Sequence, residues 1–242
     1  MNGGFSLGNM LGVNLANAKY YYFLNNDTLL LNDCLDILYQ FSENNSKVGI
    51  CSGQMFNKDD QKQLNFSYLP RLSLKFLGTG ILRIFEPNRY PNKRKFYEEP
   101  LKVEVLNGSS MFVRSEIFDK IGGFDINYFL YCEEEDLGIR LKKEGYALFL
   151  VPKAEYKHFV SQSTQQNEKL NLKLMKEFYI SYFYYFRKHK GFFATKMIQL
   201  YLFFRFITKI FKNKDFARLA FFILQEPKLS QGMRMGQKIG NV

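Results

Sequence analysis

Apolar and polar positions alternate along this chain in short blocks, and the first blocks already indicate a sheet. Residues 18–25 carry an apolar and aromatic run, Lys-Tyr-Tyr-Tyr-Phe-Leu after Ala18, that ends abruptly in Asn25-Asn26-Asp27. This predicts a buried strand emptying into a polar loop. From residue 32 onward Leu35, Ile37, Leu38 and Phe41 recur at helical spacing, with Asn32 or Asp33 as the cap and Asn44-Asn45 as the stop. Residues 48–51 then read as the next strand. Strand, helix and strand in succession favour an α/β sheet.

Residues 57–100 are rich in Lys, Asp, Pro, Arg and Gly without a sustained period, which predicts a long excursion holding a hairpin or short helix. Strand is expected at 103–106 and 111–114, with Asn107-Gly108-Ser109-Ser110 either between two strands or bulging within one. Ser115 suits the cap of a short helix through 121, stopped by Gly122-Gly123. The clearest helix spans 133–144: acids fill its first turn, Leu137 and Leu141 repeat at i, i+4, Lys142-Lys143 lie near its end, and Gly145 terminates it. A final strand is expected at 147–151.

Composition bounds the class. With 242 residues, 46% apolar and 24% charged, the chain can bury one substantial core plus an appendage. Three scattered cysteines, Cys34, Cys51 and Cys132, argue against a disulfide framework or a structural zinc site. The opening Met1-Asn2-Gly3-Gly4 has neither the basic nor the apolar stretch of a secretory signal, so a cytoplasmic location is expected.

The net charge of +11 is concentrated. Residues 168–242 hold 15 Lys and Arg against 4 Asp and Glu, which leaves 1–167 formally neutral. That segment is also strongly aromatic, and Lys196, Arg205 and Lys209 interrupt its longest apolar run too often for a membrane-crossing helix. Basic residues among Phe, Leu and Ile predict a helical tail lying along an anionic membrane surface. A nucleic-acid partner ranks last and none is expected, because the charge is a feature of this tail and no RNA-binding strand motif is present. His189, between Lys188 and Lys190, is expected to be solvated.

Four segments carry chemistry in a fixed order. Asn2-Gly3-Gly4-Phe5 is followed by Phe23-Leu24-Asn25-Asn26-Asp27-Thr28. Then comes Asn107-Gly108-Ser109-Ser110-Met111-Phe112, leading to Gly122-Gly123-Phe124-Asp125. Last is Tyr131-Cys132-Glu133-Glu134-Glu135-Asp136-Leu137, with His158 downstream. Together they resemble the rhamnosyltransferase-type branch of the inverting family-2 glycosyltransferases over residues 2–163. The resemblance implies an α/β GT-A-like mixed sheet flanked by helices, with residues 1–167 as the catalytic region; charge and aromatic pattern set apart 168–242 as a basic amphipathic helical tail. It also implies a nucleotide-sugar donor and a saccharide or lipid-linked acceptor, in cell-surface polysaccharide synthesis on the inner face of the cell membrane.

Each motif has a physical role to fill. A departing diphosphate needs its charge neutralised, and a hard divalent cation, Mn2+ or Mg2+, held by one or two carboxylates and phosphate oxygens does this. Asp27 stands where a strand runs out, and Asn25-x-Asp27 matches the family's metal motif. By the same resemblance, a histidine in the place of His158 helps bind the metal or diphosphate. Inverting transfer also needs a carboxylate to take the acceptor proton. The four crowded acids Glu133 to Asp136 repel one another and are expected to raise at least one pKa towards a useful range. The family segment usually reads Glu-Asp-x-Asp, and the residue after the first Glu resembles the base, a place held here by Glu134 behind Glu133. This Asp-to-Glu departure adds one methylene and keeps Asp136 as the rival. Asn25, Asn26 and the stretch Asn107, Gly108, Ser109 and Ser110 resemble the donor-sugar and acceptor walls.

Relatives place about two strand–helix units ahead of the segment matching residues 2–12, and those strands form the nucleotide-base pocket. The resemblance therefore implies an apolar sheet edge at the strand ending at Asn25, open to self-association or a partner. The alternative it carries is an inactive or partner-dependent fragment.

Overall fold

The computed structural model describes residues 2–63, 65–159 and 172–235. Ser161-Gln162-Ser163, and residues 168–171 and 236–242 of the expected tail, lie outside the described residues. The chain forms two compact units, Gly12–Gly123 with Glu134–Gln165, and Met1–Leu11 with Phe124–Glu133 and Gln166–Val242.

The first unit is built on a mixed sheet. β1 (Tyr20–Leu24), β7 (Ser110–Arg114), β3 (Val48–Phe56), β8 (Ala147–His158) and β2 (Thr28–Leu30) lie side by side in that order, and β5 (Leu101–Val103) also pairs with β8. β1 and β3 run antiparallel to β7, while β3 runs parallel to β8. A small second sheet pairs β4 (Phe66–Ser67) with β6 (Val105–Leu106). Helices α2 (Cys34–Glu43), α3 (Leu72–Phe85), α4 (Ser115–Lys120) and α5 (Glu133–Lys143) accompany it. The expected mixed sheet flanked by helices is therefore present.

α2 begins after Asp33 and stops at Asn44, as its spacing predicts, but the face it buries is Cys34, Leu38 and Ser42, and Leu35 is exposed. With Val48, Cys51, Phe112, Val151 and Ala154 this face forms a core cluster. On α5, Leu137 and Leu141 are fully buried, each contributing about 1.5–3 kcal/mol on leaving water. Gly138 lets α5 approach closely, since a Cβ there would meet the Glu104 carbonyl oxygen at 2.6 Å.

Four expectations need correction. The strand at 18–25 is buried only at Phe23, because β1 is an edge, paired with β7 alone among the described residues. Ser115 is the first residue of α4 and its hydroxyl donates to the Lys19 carbonyl, while Arg114 takes the cap position. The 57–100 excursion, expected to hold one hairpin or short helix, holds two short helical stretches, since Gly78 at φ +72° breaks α3. The last strand runs past Val151 to His158, because β3 continues to Phe56 and pairs again beyond a register shift at residues 152–154, while β2 pairs Tyr156 to His158 on the other side.

In the second unit, α1 (Gly4–Val13, of which residues 4–11 belong here), α6 (Leu172–Ile207) and α7 (Asp215–Leu224) are helical. Gly191, at φ +79°, breaks α6 in two, a conformation an L side chain resists. The first half of α6 does not present its rings to a surface: Tyr182, Phe183, Tyr185 and Phe186 are buried, and Ser181 donates to the Leu130 carbonyl at 2.7 Å. Asp125 holds the same helix through Tyr184 at 2.9 Å and Lys188 at 2.7 Å. His189 is half-buried, its ring 5.0 Å from that of Tyr185, which corrects its expected solvation. Among the described residues no helix is long and apolar enough to cross a membrane.

Candidate functional site

Ligands of open α/β sheets gather at the carboxyl ends of strands, and the sequence motifs of the first unit collect at that edge. β1 ends at Leu24, and β8 ends at His158, whose register partner is Thr28. The three residues between β1 and β2 form a tight turn, closed by the Thr28 hydroxyl donating to the Asn25 carbonyl at 2.6 Å. This brings Asp27 against His158, with Oδ1 3.1 Å from Nε2. The Phe159 N–H then donates to the Asp27 carbonyl at 2.9 Å, so main-chain bonds fix both side chains. Asn26 is exposed at the tip and Asn25 is half-buried.

The Asn107–Ser110 turn lies directly beside this pair. Asn25 N–H donates to the Ser109 carbonyl at 3.0 Å, and Leu24 is the register partner of Ser110. The serine hydroxyls face inward, Ser109 to Tyr156 at 3.0 Å and Ser110 to Tyr22 at 3.1 Å, and both serines are buried. What this turn offers a ligand is therefore the Asn107 amide and its main chain. Gly108 ties the turn to α5, its N–H donating to Glu134 Oε1 at 3.0 Å.

The four acids at the start of α5 do different things. The chain enters the helix through Tyr131 and Cys132, both in the left-handed region at φ 71° and 66°. Such residues cost about 1–3 kcal/mol each and concentrate at functional sites. Glu133 is buried. Asp136 is fully buried and pairs with Arg140, Oδ2 to Nε 2.7 Å, while Arg140 also donates to the Ile121 carbonyl at 2.7 Å. Glu134 and Glu135 instead share the wall of a cavity of about 260 Å3 with Lys93, Asn65, Asn107 and Phe66.

Burial is the leading cause that raises the pKa of both cavity carboxylates. Glu134 is shifted upward although its own N–H and that of Gly108 oppose the shift. Burial, with repulsion from Glu134 second, lifts Glu135 to about 7, and the Lys93 charge works the other way. The expected rise is thus present for these two, but desolvation exceeds mutual crowding. Burial in turn lowers the Lys93 pKa, and its ammonium sits 4.7 Å from the centre of the Tyr68 ring. Lys93 and Asn65 carry no sequence signal beyond belonging to a long, aperiodic excursion.

Asp27 and His158 supply one hard oxygen and one imidazole nitrogen. No cluster of three or more His, Cys, Asp or Glu suited to a metal occurs among the described residues. Two protein ligands fit a divalent ion that completes its shell with phosphate oxygens and water.

No protein-family model matches the chain. It is 43% identical over 67 residues to the N-acetylglucosaminyl-diphospho-decaprenol L-rhamnosyltransferase of Mycobacterium tuberculosis H37Rv, a match covering 28% of the chain and 22% of that protein. It is 33% identical over 147 residues to the rhamnosyltransferase WbbL of Escherichia coli K12, covering 60% and 53% respectively. The chain thus spans about half the length of the E. coli relative and about a fifth of the mycobacterial one. Among solved structures it is similar to GalNAc-T7 crystallised with UDP, GalNAc and Mn2+, at a TM-score of 0.48 and 13% identity, over 76% of the chain and 36% of that structure.

Proposed function

We propose that this chain transfers a sugar, with inversion, from a nucleotide-activated donor to a saccharide acceptor, as a GT-A-type glycosyltransferase of polysaccharide synthesis. The observation that carries this reading is the junction of two chemistries at one sheet edge. The Asp27–His158 pair adjoins, through the Asn25–Ser109 hydrogen bond, the turn whose Gly108 N–H holds Glu134. The similarity to two rhamnosyltransferases supports it independently.

In this reading Asp27 and His158 hold Mn2+ or Mg2+, which when bound neutralises the leaving diphosphate. Glu134 takes the proton of the acceptor hydroxyl as its oxygen bonds to the anomeric carbon and the bond to the diphosphate oxygen breaks. A base acts only when ionised, so the raised pKa of Glu134 predicts activity that climbs with pH. Gly108 positions the carboxylate, and Asn25, Asn26 and Asn107 border the sugars. Asp136, locked to Arg140, orients α5.

The name of the mycobacterial relative specifies an acceptor sugar on a diphospho-decaprenol. We carry a lipid-linked acceptor over to this chain, with residues 168–242 holding it at the inner face of the membrane. The test is release of nucleoside diphosphate from a panel of sugar nucleotides with acceptor. Release that needs Mn2+ and vanishes in Asp27→Ala and Glu134→Gln supports the reading, and release indifferent to all three refutes it. A second reading, activity only beside a partner, is favoured by the open edge of β1. In that case turnover would rise steeply with protein concentration while light scattering shows association.

A further inference from the structure

The second half of α6 carries two apolar stripes, and the structure accounts for only one. Thr195, Ile198, Gln199, Leu202 and Phe206 are buried, and this face meets α7. Phe206 stacks on Phe216 at 5.7 Å, and Gln199 Nε2 donates to the carbonyls of Ile223 and Leu224 at 2.8 and 3.0 Å. The last turn of α7 is thereby capped.

On another face, Phe193, Met197, Leu200, Phe204 and Ile207 follow one another in steps of four and three, the repeat that aligns side chains along one side of a helix, and Phe211 follows in the turn just after α6. They are 83, 51, 53, 62, 36 and 100% exposed. Phe221 and Leu224 of α7, at 62 and 49%, add to the exposed apolar surface of this helix pair. A contiguous apolar stripe of this length on a folded chain marks an interaction surface.

The charges around it select the occupant. Between residues 191 and 224 there are six Lys and Arg and a single acid, Asp215, which Arg218 pairs at 2.9 Å. Arg205, Lys212 and Lys214 are exposed and have no carboxylate partner among the described residues. A second copy docked on this face would set cations against cations and would have to interdigitate bulky phenylalanines. An anionic bilayer instead takes the rings into its acyl boundary and the cations at its headgroups.

We propose that the helix pair from Phe192 to Leu224 is a membrane seat, entering an anionic lipid surface along the Phe193–Phe211 stripe. This deepens the reading of a membrane-held acceptor and rests on it for its purpose. The aromatic first half of α6, which the composition also offered, is core and takes no part. The geometry of a helix lying in the interface, with neither end long enough to cross, follows from the spacing.

The experiment is flotation of the full chain with vesicles of phosphatidylcholine alone and with 30% phosphatidylglycerol added, which needs no donor, acceptor or turnover. Binding is expected on the anionic vesicles, weakening with salt. Phe193→Ser with Phe211→Ser should lower partitioning by about a hundredfold, roughly tenfold for each exposed ring withdrawn from the interface. Lys212→Glu with Lys214→Glu should remove the preference for anionic lipid. All four positions are exposed, and an unchanged melting curve checks that each variant folds. Partitioning unaltered by the phenylalanine pair overturns the proposal. So does a concentration-dependent dimer abolished by that pair, which would make a second copy the occupant. Vesicle binding intact in a chain that releases no nucleoside diphosphate would instead count against sugar transfer alone.

Discussion

Glu135→Gln tests whether burial governs the acid cluster, and its sign is fixed by the structure. A glutamate at 4.5 when exposed and at about 7 in the fold keeps its proton in the native state across that interval, while the unfolded chain has already released it. Unfolding therefore releases a proton, and stability falls as pH rises from 4.5 to 7, then levels. The shift is about two and a half units at 1.36 kcal/mol each, an upper bound near 3 kcal/mol. Glu135 is half-buried rather than sealed, and it faces Lys93 across the cavity, so about 1–3 kcal/mol is expected. Urea denaturation at half-unit steps from pH 4.5 to 8 measures this for wild type and variant. The wild type should lose that amount relative to Glu135→Gln, and the variant should be the more stable protein at pH 8. Parallel pH curves for the two would refute the burial argument.

Lys93→Met removes the cation that opposes the shift, so the midpoint of the same pH-dependent loss should move upward in the wild-type background, and a downward move would contradict the pairing. Glu134→Gln should fold normally and keep donor affinity while turnover falls by about two to four orders of magnitude, measured by stopped assay. Asp136→Asn should behave oppositely, with unfolding free energy lower by about 3 kcal/mol, because it leaves the Arg140 guanidinium without its buried counter-charge. Asp27→Ala should abolish metal-dependent nucleotide binding by calorimetry without lowering the melting temperature, since its carboxylate sits in a surface turn.

The sequence is most legible where one period dominates. Helices α2 and α5 end where their caps and glycines say they should, since local hydrogen bonding alone sets those boundaries. Strand lengths are less legible, because β8 continues past Pro152 on account of β3 and β2 running beside it, long-range pairings that no local window contains. That hidden extension is what puts His158 opposite Thr28 and within reach of Asp27. Among the four acids, composition makes all equivalent, and only the family resemblance sets Glu134 apart, with Asp136 as its rival. Helical geometry then points Asp136 at Arg140 and Glu134 at Gly108, a distinction of angle that composition does not record. Lys93 and Asn65 join the cavity from the aperiodic excursion, whose path is set by tertiary contacts such as the Tyr68–Tyr90 ring pair at 5.3 Å. In the tail, aromatic density alone made both halves of α6 surface candidates, and only the fold distinguishes a core helix from one with an open stripe.

The most direct test of the central claim is a thermal-shift titration of the full chain with UDP-, GDP- and dTDP-sugars, each with and without Mn2+. A ligand that binds only the native state raises its melting temperature. At least one sugar nucleotide should stabilise the protein with Mn2+ present and not without it, and Asp27→Ala should erase that stabilisation. If no sugar nucleotide shifts the melting curve, or if the shift is the same without metal and in Asp27→Ala, the assignment of this sheet edge to sugar transfer is wrong.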